Sequence, residues 1–415
     1  MTNSETKNFS QNVSSSYHLE DRGKCNKNTC ANARNVPKLR FKGYNYEWKH
    51  YRLKDITTRI TRKNKKFESD RPLTISAIDG LIDQKDYFNR QIASKDMSGY
   101  YLLKNGEFAY NKSYSNGFPY GSIKRLNKYD KGALSTLYIC FSLQNICSDF
   151  LEKYFETDKW YKEIYMIAVE GARNHGLLNI SVEDFFNTMH KFPNIEEQEK
   201  IASFLTLIDK KIEKQKELVE LLKKYKRGLL SAIFSQKLRF KDDSGNNYPA
   251  WEEKRLENIL KIKHGKSQKE IECNNGEYPI LATGGEIGRT NSYLWDKPCV
   301  LIGRKGTIDK PQYMDTPFWT VDTLFYSEVF KENNAKYLYY LFNTINWKKY
   351  DESTGVPSLS AKTIERIKVT LSINYSEQLA ISKILSKFDD KIQQEEFMLK
   401  KLQNYKKGLL QQMFI

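Results

Sequence analysis

The sequence has few of the residues that build disulfide scaffolds or metal centres. Six cysteines and five histidines are scattered over 415 residues, and the histidines show no metal-ligand spacing. Cys25 and Cys30 are spaced like half of a zinc site, but no matching pair follows. The sequence therefore predicts reduced thiols and no bound metal.

Long apolar runs are also missing. No stretch approaches the ~18 residues that would cross a bilayer. Residues 1–35 are polar and lack the apolar core of a signal peptide. We expect a cytoplasmic protein whose residues 1–35 form a flexible polar tail.

The motifs of several enzyme classes are absent or incomplete. Gly265-Lys266-Ser267 supplies only the end of a Walker A loop, because the leading position is Leu260 rather than glycine. No Pro-Pro pair occurs, so the Asn/Asp-Pro-Pro-aromatic motif of adenine methyltransferases is missing, and no nuclease-like carboxylate constellation is recognisable. These absences favour a binding protein over an enzyme, with no catalytic residues and no cofactor on this chain.

Positive charge is what the chain has in excess. It contains 68 Lys+Arg against 51 Asp+Glu, a formal net charge of +17. An excess of this size favours polyanionic partners. Nucleic acid is the first candidate and an acidic membrane surface the second.

An internal repeat organises the chain. Residues 197–234 recur 180 positions later, at residues 377–414, with no insertion in either copy. Apolar residues in each copy follow steps of four and three with no proline, which predicts one long helix with a coiled-coil seam. Each helix would be roughly 55 Å long at 1.5 Å per residue. Packing on its own globule, or a homodimer zipper, remains possible at this point.

Both copies break the seam at the same two places. Gln215 matches Glu395, and Lys226 matches Lys406. Polar residues in a seam cost stability but fix register and partner. We therefore predict that these four residues set the register of the helices.

A second repeat precedes each helix. Lys-Leu-Arg-Phe-Lys occurs at residues 38–42 and 237–241, and Trp48 is matched by Trp251. The order is therefore globule, helix, globule, helix. We predict an α+β protein in which two globular domains are separated by two long helices, which form an antiparallel intrachain coiled coil with pseudo-twofold symmetry. The predicted boundaries are 36–194, 195–236, 237–375 and 376–415.

Loops that alternate polar, basic and aromatic residues are the candidates for DNA contact, because base edges and phosphates are read by such groups. At any one position the alternative is an ordinary solvated residue or a hairpin turn. Gly355-Val356-Pro357-Ser358 is a further loop near the second helix. The candidate DNA-binding residues are Tyr110, Asn111, Lys112, Ser113, Lys124, Arg125, Thr283, Gly284, Gly285, Arg289, Arg304, Lys305 and Thr307.

Beyond the tail, the chain resembles the specificity subunit of type I restriction–modification systems. Three features carry the resemblance: the duplicated Glu-Gln-x-x-Ile helix ending in Gly-Leu-Leu, the Lys-Leu-Arg-Phe motif with its downstream Trp, and Leu-Ile-Gly-Arg-Lys-Gly-Thr-Ile at residues 301–308. The tail is longer than this architecture needs. It would either be unstructured or touch a partner.

The resemblance implies that each globule is a target recognition domain reading one half of a bipartite, asymmetric site in double-stranded DNA. The helices would set the gap between the halves and dock two methyltransferase (modification) subunits. Two restriction (endonuclease and translocase) subunits would join them. S-adenosylmethionine, ATP and magnesium would belong to those partners. The alternatives are a coiled-coil scaffold that binds DNA without sequence specificity, or a stand-alone nuclease or methyltransferase with an unrecognised site.

Overall fold

The computed structural model describes residues 19–21, 35–88, 94, 96–168 and 178–415. The chain divides into two compact units. Unit 1 comprises Met1–Lys214 with Leu399–Ile415, and unit 2 comprises Gln215–Met398. Both units mix strands and helices, which confirms the α+β class.

Unit 1 combines short strands with short helices. Its strands are β1 (Leu19–Asp21), β2 (Leu39–Phe41), β3 (Lys49–Arg52), β4 (Thr57–Arg59), β5 (Pro72–Ser76), β6 (Gly80–Asp83), β7 (Tyr101–Lys104), β8 (Phe108–Asn111), β9 (Ser122–Arg125), β10 (Lys131–Leu134), β11 (Ile139–Leu143) and β12 (Met189–Phe192). Its helices are α1 (Leu53–Ile56), α2 (Gln84–Phe88), α3 (Ser148–Phe155), α4 (Tyr161–Ile167) and α5 (Val182–Asn187).

Two four-stranded sheets form the frame of unit 1, in the orders β6-β5-β10-β7 and β4-β11-β8-β9. Alternate residues of a strand point to opposite faces. In β8, Ala109 joins Leu73 in a core between the sheets. Its neighbours Phe108 and Tyr110 join the larger core that contains Phe150 of α3. β8 is therefore covered on both faces.

Unit 2 also combines short strands with short helices. Its strands are β13 (Glu252–Arg255), β14 (Leu260–Lys263), β15 (Tyr278–Ala282), β16 (Gly285–Thr290), β17 (Cys299–Gly303), β18 (Gln312–Met314), β19 (Trp319–Thr320), β20 (Leu324–Val329) and β21 (Lys368–Leu371). Two 3-10 turns lie at Leu256–Asn258 and Trp347–Tyr350. Its short α-helices are α7 (Ala335–Phe342) and α8 (Ala361–Arg366).

The two larger sheets of unit 2 have the orders β14-β20-β17-β18 and β16-β15-β19. Strand β17, an inner strand of the four-stranded sheet, is also covered on both faces. Leu301 joins the small core around Phe318, whereas Val300 and Ile302 pack in the core that contains Leu338 of α7. The apolar run at residues 299–303 is thus a doubly buried strand, as short apolar runs between turns predict.

The expected flexible tail lies largely outside the described residues. Three of its residues, Leu19–Asp21, form β1 and pair antiparallel with β2. The backbone of these three positions completes a two-stranded sheet with the Lys-Leu-Arg-Phe motif.

The two repeated segments are the long helices α6 (Ile195–Phe234) and α9 (Tyr375–Met413). In unit 2, Gln215 contacts Glu395 and Lys226 contacts Asp389. A later residue of α6 thus contacts an earlier residue of α9, so the two helices run in opposite directions. This confirms antiparallel pairing within one chain. None of the helices in the described part of the chain combines the length and apolar character that a bilayer crossing requires.

Both long helices begin in the same way. The Asn194 side-chain oxygen accepts a hydrogen bond from the Glu197 amide at 3.1 Å. The Asn374 oxygen accepts one from the Glu377 amide at the same distance. Each asparagine satisfies an amide that the first turn leaves without a helical partner.

The first-turn glutamates explain the second sequence repeat. The Arg40 guanidinium donates two 2.7 Å hydrogen bonds to the Glu197 carboxylate in unit 1. In unit 2, Arg239 donates to Glu377 at 3.1 Å, and the Trp251 indole donates to the same carboxylate at 3.0 Å. The arginine of each Lys-Leu-Arg-Phe motif is thus the partner of a helix glutamate.

The far end of each long helix carries a phenylalanine into an aromatic cluster. Phe414 lies 6.4 Å from Trp48 and 5.3 Å from Phe150, between ring centroids. Phe234 lies 5.9 Å from Trp251. Each motif tryptophan therefore packs beside a helix end, in unit 1 and unit 2 alike.

Candidate nucleic-acid interface

The candidate residues of β8 and β9 do not form one surface. Tyr110 is fully buried. Its hydroxyl donates to the Tyr120 carbonyl at 2.8 Å, and its ring stacks on Phe185 with centroids 4.9 Å apart. Burial raises the pKa of Tyr110, and Tyr161 adds to the effect. Tyr110 is a core residue, which corrects its prediction as a DNA contact.

Arg125 is occupied by carboxylates of α3. Its guanidinium donates to Asp149 and to Glu152, both at 2.6 Å, and to the Ser148 hydroxyl at 2.8 Å. Burial lowers the pKa of the neighbouring Lys124, although Glu156 and Glu152 oppose this shift. These contacts leave little of the Arg125 charge for a phosphate group.

Other predicted residues of unit 1 border an open cleft of about 200 Å³. Asn111 and Ser113 line it, and the Asn111 side-chain oxygen accepts from the Ser113 amide at 3.0 Å. Lys112 instead ties this segment to the Ile180 carbonyl at 3.1 Å. A Cβ at Gly121 would lie 2.0 Å from the Asn111 carbonyl oxygen, so only glycine allows this close approach.

Sequence reasoning missed the aromatic part of this cleft. Its rim includes Ile78, Tyr87 and Tyr114, which are 84%, 49% and 61% exposed. Aromatic faces stack on bases, and Asn or Ser side chains can hydrogen-bond base edges. The unit 1 cleft is the set Ile78, Tyr87, Asn111, Ser113 and Tyr114. Composition alone does not separate an exposed tyrosine from a core one, so no sequence pattern indicated Tyr87 or Tyr114.

The candidate loops of unit 2 come together. Thr283 and Gly284 form the turn between β15 and β16. A side chain at Gly306 would meet the Thr283 hydroxyl at 3.7 Å. The Gly306 amide donates to the Pro357 carbonyl at 2.8 Å, and the Leu359 amide donates to the Arg304 carbonyl at 2.9 Å. The loop at residues 355–358 therefore joins the other two.

This unit 2 loop cluster comprises Thr283, Arg304, Lys305, Gly306 and Ser358. Lys305 is exposed and Arg304 is half-buried, with a long 3.4 Å hydrogen bond to the Asp322 carbonyl. Both line a cleft of about 380 Å³. The other polar residues of that cleft are His264, Glu352, Ser358, Ser360 and Lys362.

The remaining candidates of unit 2 lie beside the cluster. Gly285 begins β16, and Arg289 near its end makes an exposed 3.2 Å ion pair with Glu286. Thr307 is half-buried at the turn after β17. The Gln312 amide donates to the Thr283 carbonyl at 3.4 Å and so supports the β15–β16 turn.

The four predicted register residues all contact the opposite long helix. The Gln215 amide donates to the Glu395 carboxylate at 2.6 Å in unit 2. Lys406 contacts Asp209 at 2.5 Å in unit 1, and Lys226 contacts Asp389 in unit 2. Asp209 and Asp389 occupy matching positions of the repeat, so each lysine has an aspartate partner that sequence reasoning did not assign.

The described residues contain no cluster of His, Cys, Asp and Glu suited to a metal ion. Burial raises the pKa of Cys140 and of Cys299 to about 12. Both are therefore protonated near neutral pH and poor nucleophiles.

Part of the chain matches a known family model. Residues 249–404 match the family model described as "Type I restriction modification DNA specificity domain". This match confirms the resemblance drawn from the sequence over residues 249–404, and DNA sequence recognition is the role of the matched family.

Solved structures extend the likeness in fold beyond residues 249–404. The specificity subunit of a type I restriction–modification system from M. genitalium is 18% identical, with a TM-score of 0.59 over 92% of this chain and 99% of that one. A chain from a type I R-M system, solved to explain complex assembly and conformational transition, is 15% identical. Its TM-score is 0.54 over 88% of this chain and 96% of its own.

Proposed function

We propose that this chain reads a bipartite, asymmetric site in double-stranded DNA, with one half read by each unit. The unit 1 cleft and the unit 2 loop cluster are the two reading surfaces. The antiparallel helices set the gap between the half-sites. The two target recognition domains are residues 36–194 and 237–375.

The difference between the two surfaces is the observation that carries this proposal. The unit 1 cleft offers tyrosine rings with Asn111 and Ser113, which suits stacking and base-edge hydrogen bonds. The unit 2 cluster offers Arg304, Lys305 and Thr283, which suits guanine edges and phosphates. Two unlike surfaces on similar helical supports fit two unlike half-sites.

The repeated helices suit a pair of identical partners. Residues 197–234 recur at residues 377–414, so we propose that two methyltransferase subunits dock on these similar helices. Two restriction subunits then complete the complex. S-adenosylmethionine, ATP and magnesium bind those partners, and the assembly works in the cytoplasm, where chromosomal DNA lies.

The test is methylome sequencing of a methylation-free host that expresses this chain with its methyltransferase subunit. The expected result is one adenine-methylated motif with two specific halves and a fixed gap. Methylation without a motif would favour the non-specific scaffold. Methylation or cleavage by this chain alone would favour the stand-alone enzyme.

Alanine variants assign the unit 2 surface. Arg304→Ala and Lys305→Ala should relax one half-site or weaken its use, because a bidentate base contact is worth about 1–3 kcal/mol. Lys331→Ala is the matched control. This exposed lysine follows the end of β20, whereas Thr323 lies just before the start of that strand. The control should methylate as the wild type does.

A further inference from the structure

A loop of unit 1 outside the cleft presents one aromatic ring to solvent in an unfavourable backbone conformation. Phe67 is 57% exposed, and its φ is +50°. Residues with a Cβ rarely adopt this left-handed region. Because the ring is exposed, its burial does not compensate for the backbone strain. Phe67 therefore lowers the stability of the fold in this conformation. Such outliers are reasons to look for a function.

The loop around Phe67 is rigidly built. Asn64 is fully buried and closes the loop with its side chain. Its amide donates to the Ser69 carbonyl at 2.8 Å, and its oxygen accepts from the Ser69 amide at 3.1 Å. The Phe67 amide donates to the Asn64 carbonyl at 2.9 Å. The position of the ring is thus set before any partner arrives.

Charge beside the ring indicates the kind of partner. Lys65 and Lys66 directly precede Phe67 and are exposed, while Glu68 follows it. Lys63 lies over the Tyr101 ring at 4.1 Å and donates to the Gly99 carbonyl at 3.0 Å. Lysines that flank an exposed apolar ring match the wedge residues of DNA-binding proteins, which neutralise phosphates while the ring separates two bases.

Sheet topology places this loop at the same edge as the unit 1 cleft. β10 runs parallel to β5 and antiparallel to β7, so the segment that precedes β7 continues towards the edge where β5 ends. The Asn64 amide bonds to the Tyr100 carbonyl just before β7. Ser76 and Ile78, at and after the end of β5, belong to the cleft lining. The ring and the cleft therefore share one side of unit 1.

We propose that Phe67 is a wedge that inserts between two base pairs of the bound duplex, beside the bases read by the unit 1 cleft. This role rests on the proposed function and adds a DNA-deforming residue to it. Flexible pyrimidine–purine steps open most easily, so such a step should flank or interrupt the half-site read by unit 1.

The test uses the chain assembled with its methyltransferase subunits and duplexes that carry 2-aminopurine at successive positions of that half-site. Wild type should raise the fluorescence at one step, because the base there loses its stacking. Phe67→Ala should abolish the rise and weaken specific binding about tenfold. Phe67→Trp should keep both properties.

A second variant separates the ring from the strain. Phe67→Gly suits the left-handed backbone, so it should melt at or above the wild-type temperature yet bind DNA as Phe67→Ala does. Tyr46→Ala removes another exposed ring of unit 1, 78% exposed, and should leave binding and fluorescence unchanged.

The outcomes keep this inference apart from the proposed function. Wild-type affinity and fluorescence in Phe67→Ala, or wild-type affinity in Phe67→Gly, would overturn the wedge while site-specific binding by wild type stood. A loss confined to binding of phosphatidylserine vesicles would assign the ring to a membrane and also overturn it. Absence of any sequence preference in wild type would instead overturn the proposed function.

Discussion

The two units use one plan for holding a long-helix aspartate, but they complete it differently. In unit 1, Asp209 binds Lys406 of α9 and Lys153 of α3. In unit 2, Asp389 binds Lys226 of α6 and the Tyr340 hydroxyl of α7. The aspartate and its long-helix lysine are repeated, whereas the third partner comes from a short helix of the globule.

This difference separates what the helices require from what each globule supplies. The repeated pair joins one long helix to the other, so it is the same in both units. The third contact joins a globule to that pair. The two globules differ in sequence, and they supply different side chains, Lys153 in unit 1 and Tyr340 in unit 2. Glu156 adds a further partner in unit 1, where it contacts both Lys153 and Lys406.

The largest expected difference between the units concerns the helix glutamates. Arg40 and Glu197 have side chains only 2% and 1% exposed. Arg40→Met should cost about 3–5 kcal/mol, because it leaves a buried carboxylate without its cation. Arg239→Met should cost less, about 1–3 kcal/mol, because Arg239 is 29% exposed and the buried Glu377 keeps hydrogen bonds from Trp251 and Ser372. Urea unfolding midpoints of the two variants measure this, and equal losses would contradict it.

The aspartate junctions should show a smaller difference. Asp389→Asn should cost about 1 kcal/mol, since Lys226 and Tyr340 lose their common anion. Asp209→Asn should cost about half as much, because Lys153 and Lys406 retain Glu156 at 2.7 and 2.6 Å. Adding Glu156→Gln to Asp209→Asn should remove this advantage. Thermal melting checks it, and a loss from Asp209→Asn larger than from Asp389→Asn would refute the comparison.

Replacing the polar break of the seam should change register more than stability. With Gln215→Leu and Glu395→Leu together, no buried polar group is left unpaired, so stability should change by less than about 1 kcal/mol. The half-site gap in methylome data should instead become heterogeneous, because the polar break no longer favours one register. A single unchanged gap would show that these residues do not set it.

The smallest effect is expected at an exposed ion pair of the same helices. Lys223 contacts Glu220 at 3.3 Å and Glu396 at 2.9 Å, with all three side chains open to solvent. Lys223→Ala should leave the unfolding midpoint and the gap unchanged, since screened surface pairs contribute little. A clear shift would mean that surface charge, rather than the Asp209 and Asp389 junctions, holds the helices.

The helices could be predicted from the sequence because their pattern is local. Seam spacing over residues 197–234 and 377–414 anticipated α6 and α9 to within about two residues at each end, and the repeated order indicated pairing within one chain. The partners of Arg40 and Lys406 were not predictable, because they lie far away in sequence and only tertiary packing brings them together.

The candidate site was harder to predict for the same reason. The turns at Thr283 and Gly306 are marked by glycine, and the structure brings them together. Tyr110 fits a DNA-binding pattern equally well, yet β8 is covered on both faces and its ring is buried. The sequence does not show that residues of α3 occupy the Arg125 guanidinium. Nor does it distinguish the exposed Phe67 from a core aromatic residue.

The central claim is that each unit reads its own half of the DNA site. Its most direct test exchanges residues 265–355 of unit 2 for the matching segment of a related specificity subunit, followed by methylome sequencing of cells that express the hybrid complex. We predict that one half-site changes while the other half and the gap are retained. A change in both halves, or in neither, would contradict it.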